Sequence, residues 1–222
     1  MLCDTSAGEN QITPATANTA SSATAPNGSW SVRTLRWGMW PLILTSPTIL
    51  LHEGSHLAVA TAVGVPEPVL HYSAIGHGDV SMVPGWAMAL TGAAGPLMTL
   101  LLSFVGCWGI AIRRGSPWAF GLAATASSRL LLGVPFAVLG TISVMLGNDA
   151  SSAFDEFKAA NAVGLHGLPF VAATAAAGVA IWIFIGRRIP KGDRWAAWPG
   201  LILGTLFGWG LWLGVLGPIL LP

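Results

Sequence analysis

Residues 37–65 read WGMWPLILTSPTILLHEGSHLAVATAVGV, an apolar run with a single ionisable cluster, His52-Glu53-Gly54-Ser55-His56, inside it. The run exceeds the roughly 20 residues that a helix needs to cross a hydrocarbon core about 30 Å thick. Lipid offers no partner for a free N–H or C=O, so such a segment forms a helix. Four stretches of the same kind follow, at Gly85 to Ile112, Trp118 to Leu146, Leu165 to Gly186 and Ala196 to Leu221. The composition agrees, with 53% of the 222 residues hydrophobic and 9% charged, against about a quarter charged in soluble domains. The expected fold is therefore an all-α integral membrane protein with about five transmembrane helices.

The charges divide by side. Arg33 and Arg36 precede the first span, Arg113 and Arg114 separate the second and third, and Arg187, Arg188, Lys191 and Arg194 separate the fourth and fifth. All eight fall on one side if the N-terminus is cytoplasmic, as the excess of Lys and Arg in cytoplasmic loops requires. The other side has Lys158 with Glu67, Asp79, Asp149, Asp155 and Glu156. Residues 1–29 are polar, rich in Ser, Thr, Ala and Asn, and are expected to form a disordered tail; they lack the basic and apolar regions of a secretory signal. Residues 30–222 read as one polytopic membrane domain. A net charge of +1 leaves no footprint for nucleic acid. Cys3 and Cys107, in a polar tail and an apolar run, suggest neither a disulfide framework nor a cysteine zinc site. Between the first two spans, PVLHYSAIGHGDVSMVPG (68–85) has two short runs around the turn-forming Gly76-His77-Gly78-Asp79, which suits a small hairpin or a plain exposed loop.

The cluster in the first span is an H-E-x-x-H pattern. Four residues apart on a helix, His52 and His56 stand one turn apart on the same face, so both imidazoles reach one metal ion. Glu53 is placed to take a proton from a metal-activated water and return it to a leaving amine, the sequence of events in zinc-dependent peptide hydrolysis. Membrane context strengthens the reading, because each charged group in a transmembrane helix costs about 2.5–3.5 kcal/mol on insertion scales and marks a functional site. The competing account is a pair of neutral histidines bonded to neighbouring helices, with Glu53 protonated or paired to Arg129.

A hydrolytic zinc site has three protein ligands and an open position. The histidine that some zincins place six residues after the second ligand is Ala62 here, and neither Glu67 nor Glu156 is well placed. Asp149, in Gly147-Asn148-Asp149 at the end of the third span, is the first choice; His71, His77, Asp79, Asp155 and His166 are the reserves, and exchanging Asp149 or Asp155 for Asn separates the two leading carboxylates. Gly92-Ala93-Ala94-Gly95-Pro96-Leu97 offers small residues for close helix approach and a proline that frees a backbone carbonyl. Gly95 and Pro96 therefore serve core packing or contact with substrate. Arg129, the one basic residue deep in a span, suits an ion pair with Glu53 or another buried acid.

His52-Glu-Gly-Ser-His56 in the first span, Ala94-Gly-Pro-Leu97 in the next and an Asp after the third resemble the site-2 protease family of intramembrane zinc metalloproteases, the M50 peptidases. The resemblance covers roughly residues 37–167, with accessory helices over about 168–222. It implies a three-helix catalytic core, one Zn2+ held by His52, His56 and an Asp, and Glu53 as general base. It also implies a strand edge after the first core helix, within 68–85, that holds a membrane-embedded or juxtamembrane peptide extended. The family's Leu-Asp-Gly is Asn148-Asp149-Ala150 here, and Thr99 stands at the usual place of an Asn. The other readings are a non-catalytic metal-binding scaffold of related fold, against which an intact Glu53 argues, and a transporter, for which the sequence shows no internal repeat.

Overall fold

The computed structural model describes residues 29–113, 115–148 and 154–221, so the tail, Arg114 and Asp149 lie outside the described residues. The chain is mostly helical. Helix α1 (Trp30–Ala62) leads into a two-stranded antiparallel hairpin, β1 (Val69–Leu70) and β2 (Ile75–Gly76), followed by α2 (Gly85–Ile112) and α3 (Pro117–Met145). A short α4 (Asp155–Ala162) precedes α5 (Leu168–Arg188), a 3-10 turn at Lys191–Asp193, α6 (Arg194–Leu211), a π-helical turn at Trp212–Leu216 and a last turn, α7 (Gly217–Leu220).

Four helical segments, Gly85–Ile112, Pro117–Met145, Leu168–Arg188 and Lys191–Leu220, are long and apolar enough to cross a membrane. Helix α1 has 33 residues but is less apolar, because one of its faces carries the threonines, prolines and the ionisable cluster. Trp37, Pro41, Thr45, Thr48, His52, His56 and Ala60 are buried at helical spacing along that face. The hydroxyls are satisfied within the helix: Thr45 donates to Pro41 O (2.7 Å) and Thr48 to Thr45 O (2.8 Å). Such back-bonding lets polar side chains sit in an apolar interior.

Helices α1 and α6 run parallel and in close contact. Trp30 Nε1 donates to Trp195 O, Gly38 lies against Gly200 and Gly204, Thr45 against Gly208, and further along Trp212 Nε1 donates to Tyr72 O (2.8 Å). The Gly200, Gly204 and Gly208 spacing is the small-xxx-small pattern by which backbones approach without side chains between them. The large apolar residues gather at one end of the bundle, where Trp37, Ile110, Phe120, Ile185, Ile189 and Leu201 form a buried cluster. Arg33 donates to Gly192 O (3.0 Å) at that same end. The ionisable cluster of α1 lies towards the other end.

The hairpin turns at a different place from that suggested by the glycines. Val69 pairs with Gly76 and Leu70 with Ile75, and His71 N donates to Ala74 O (2.9 Å), so residues 71–74 make the turn. Gly76 is a strand residue whose missing side chain leaves room for the His71 ring. Asp79 instead closes a local loop, its Oδ1 accepting from Ser81 N (2.9 Å), and these bonds from Ser81 hold its carboxyl below the usual carboxylate range.

Candidate metal centre

His52, Glu53 and His56 are all buried, with 2%, 2% and 4% of their surface exposed. Each imidazole is oriented by a bond to α2 at Nδ1. His56 Nδ1 donates to the Thr91 carbonyl (2.6 Å); a carbonyl only accepts, so Nδ1 carries a proton, and the neutral form of the ring presents its lone pair at Nε2. His52 Nδ1 lies 2.7 Å from Thr99 Oγ1, and with the proton on Nδ1 its Nε2 is basic as well. Thr91 immediately precedes Gly92, whose carbonyl is the one Pro96 leaves without its helical N–H.

The third group is Asp155. Its Oδ2 is 3.3 Å from His52 Nε2 and 3.4 Å from His56 Nε2, and the two Nε2 atoms are 3.2 Å apart. Arg129 donates to the same Oδ2, so this carboxylate faces a guanidinium as well as the two imidazoles. Together the three residues form a group able to hold a metal ion. The spacing suits a tetrahedral metal site, in which ligand bonds of about 2.0–2.1 Å put neighbouring donor atoms about 3.3 Å apart.

Glycine 95 makes the space. A Cβ built on it would collide with Nε2 of both His52 and His56. Gly92, one turn earlier, lets Ala159 and the Asp155 carbonyl of α4 pack directly on α2. Small residues in this stretch therefore serve both packing and the site, whereas Pro96 lines a separate apolar groove on the far side of α4.

Arg129 on α3 completes the arrangement. Its two terminal nitrogens donate separately, Nη1 to Glu53 Oε1 (3.1 Å) and Nη2 to Asp155 Oδ2 (2.7 Å). Glu53, His56, Arg129 and Asp155 border a cavity of about 420 Å³ that is also lined by Ser73, Ala74, Ile75 and His77 of the hairpin segment. The remaining reserves lie elsewhere in the structure. His166 accepts from Leu168 N at the start of α5 and packs its ring on Phe157, Asp79 serves its own loop, and His71 flanks Gly76. Asp149, the first choice from the sequence, lies outside the described residues; among the described residues the acid that joins His52 and His56 is Asp155.

The roles of Thr99, the Thr91 carbonyl and α4 have no strong sequence signal. The clue to α4 is a pair of acids, Asp155 and Glu156, opening a segment with Phe157, Ala159 and Ala160 buried, since acids favour the first turn of a helix. Comparison with protein-family models, curated proteins and solved structures found no match.

Proposed function

We propose that the protein is an intramembrane zinc metalloendopeptidase of the site-2 protease kind. The observation that carries this reading is the set of three donor atoms at 3.2–3.4 Å beside a buried glutamate on an accessible cavity. His52 and His56 supply Nε2 and Asp155 supplies Oδ2 to the ion. Zinc bound there supplies Lewis acidity towards a water molecule and a peptide carbonyl. Glu53 is oriented by Arg129 through Oε1, which leaves Oε2 to take a proton from water and pass it to the leaving amine. Ile75 of β2 borders the same cavity, and a peptide paired to that strand would lie extended with its carbonyls exposed, as a helical substrate cannot.

The membrane arrangement supporting this function has five spans. Helix α1 covers the same depth as α6, from Trp30 beside Trp195 to the Tyr72 loop beside Trp212, so it crosses with its neighbour. With the arginine-rich end cytoplasmic, the N-terminus is cytoplasmic and the cavity opens towards the opposite face. A non-catalytic metal-binding scaffold is the second reading, favoured by the Arg129 bond that engages Glu53.

Metal content of the purified full-length protein decides the first step. About one zinc per chain is expected in the wild type and in Asp149→Asn, and a large loss in His56→Ala and Asp155→Asn. Equal, negligible zinc in wild type and His56→Ala would sink the metal reading. Loss in Asp149→Asn but not in Asp155→Asn would show that the third ligand has been misassigned. Glu53→Gln then separates peptidase from scaffold: it should keep zinc and lose cleavage of a membrane-embedded peptide. Wild-type protein that holds zinc and cleaves no such peptide favours the scaffold.

A further inference from the structure

Resting on the metal site just proposed, one feature of the third ligand sets it apart from the other two. His52 and His56 project from the interior of a 33-residue helix, whereas Asp155 is the first residue of an eight-residue helix. A helix of two turns has little stability of its own, because nucleation is costly and the ends fray. Phe157, Ala159 and Ala160 are buried and fix the body of α4, but they do not fix the carboxylate at its first residue. The Asp155 side chain is also the most exposed of the three, at 22% against 2% and 5%.

The side chain that reaches it comes from α3. Arg129 lies well inside Pro117–Met145, and its neighbour Ser128 accepts a hydrogen bond from Trp209 Nε1 of α6 (3.1 Å). The guanidinium is a planar fork whose donors have fixed relative positions. One prong holds Glu53 of α1 and the other holds Asp155 of α4, at 3.1 and 2.7 Å, and the second contact is to the same Oδ2 atom that faces both imidazoles. From this geometry we infer that Arg129 is the positioning residue that delivers Asp155 to the metal, setting the third ligand and Glu53 in register with one another. The ammonium of a lysine could satisfy one carboxylate as a point charge but would not reproduce the fork.

The plain alternative is that Arg129 only neutralises Glu53. Arg129→Met alone leaves Glu53 buried without its cation, so the comparison is best made in a Glu53→Gln background, on the full chain in detergent. Zinc affinity by competition with a chelator and the visible absorption of the Co2+-loaded protein both report on the ligand set without needing activity. Arg129→Met/Glu53→Gln is expected to bind zinc about 10–100-fold more weakly than Glu53→Gln, the usual cost of losing a group that orients a ligand. Its Co2+ spectrum should shift towards that of Asp155→Asn. Arg129→Lys, with wild-type Glu53, should fall between wild type and Arg129→Met in affinity. Unchanged affinity and an unchanged spectrum in the double variant would reduce Arg129 to charge compensation and overturn the inference. Absence of zinc from the wild type would remove the metal site itself, and the inference with it.

Discussion

A methyl group on Gly95 would enter the space where His52 Nε2 and His56 Nε2 face one another. Gly95→Ala should therefore lose most of the zinc, since only a shift of α2 or of both rings could relieve the overlap. Gly54 supplies the control. It lies between the two histidines in sequence, yet a Cβ there meets nothing within 4 Å, so Gly54→Ala should retain zinc at the wild-type stoichiometry. Equal metal content in the two variants would show that Gly95 does not shape the site. The same contrast explains what the sequence reveals at this scale. His52, Glu53 and His56 are legible because their geometry is local: four residues on a helix bring two side chains to one face. Arg129 is legible as an ion-pair partner because a lone cation deep in an apolar span requires an acid. Asp155 is far less so, since its proximity to the imidazoles depends on where α4 packs, and nothing in the spacing from His56 encodes that. Gly95 reads equally well as packing or as part of the site until the ring positions are known.

Among the elements, α6 determines where α1 can stand. Gly200, Gly204 and Gly208 meet Thr34, Gly38 and Thr45 backbone or side-chain atoms so closely that a Cβ at any of them would collide with α1. Gly204→Leu should push the two helices apart and destabilise the protein by about 1–3 kcal/mol or more, the range for overpacking a tight interior. Gly210, on the exposed side of α6 with nothing near its Cβ, should tolerate alanine. Thermal unfolding in detergent checks both, and equal melting temperatures for Gly204→Leu and Gly210→Ala would contradict the packing account. The long helices are legible from hydropathy because each is set by its own composition. Two short elements are not. Helix α4 owes its place to Gly92 and to Phe136, whose ring meets those of Phe154 and Phe157. The hairpin turns at 71–74 because Val69 pairs with Gly76, leaving the glycine-rich Gly76–Asp79 segment to form the exit from the sheet rather than its turn. With Asp155, Lys158 and Ala162 on the cavity and Glu156, Ala159, Ala160 and Val163 on an apolar groove, α4 is a wall between two spaces.

For the whole molecule the two ends differ in chemistry, and the proposed orientation rests on this difference. Arg33 lies 3.5 Å from Asp193, which places the start of α1 and the α5–α6 connection together, as the distribution of basic residues along the chain requires. The donor atoms, the cavity and the hairpin occupy the part of the bundle reached by the end of α1 and the start of α2. The proposed five crossings, with the basic end cytoplasmic, would put residue 192 inside and residue 78 outside, with residue 29 on the side of 192. Single cysteines at Ser29, Gly78 and Gly192, in a chain whose Cys3 and Cys107 have been replaced by Ser, test this with a membrane-impermeant maleimide on intact cells. The cysteine at 78 should label at once, and those at 29 and 192 only after permeabilisation. Labelling of 29 and 78 from the same side would mean that α1 does not cross, and the geometry of α1 against α6 would then need another environment. Labelling of 192 from outside, with 78 protected, would invert the molecule and turn the cavity towards the cytoplasm. The choice bears directly on the proposed function, since it would fix the compartment from which water and a substrate reach Glu53.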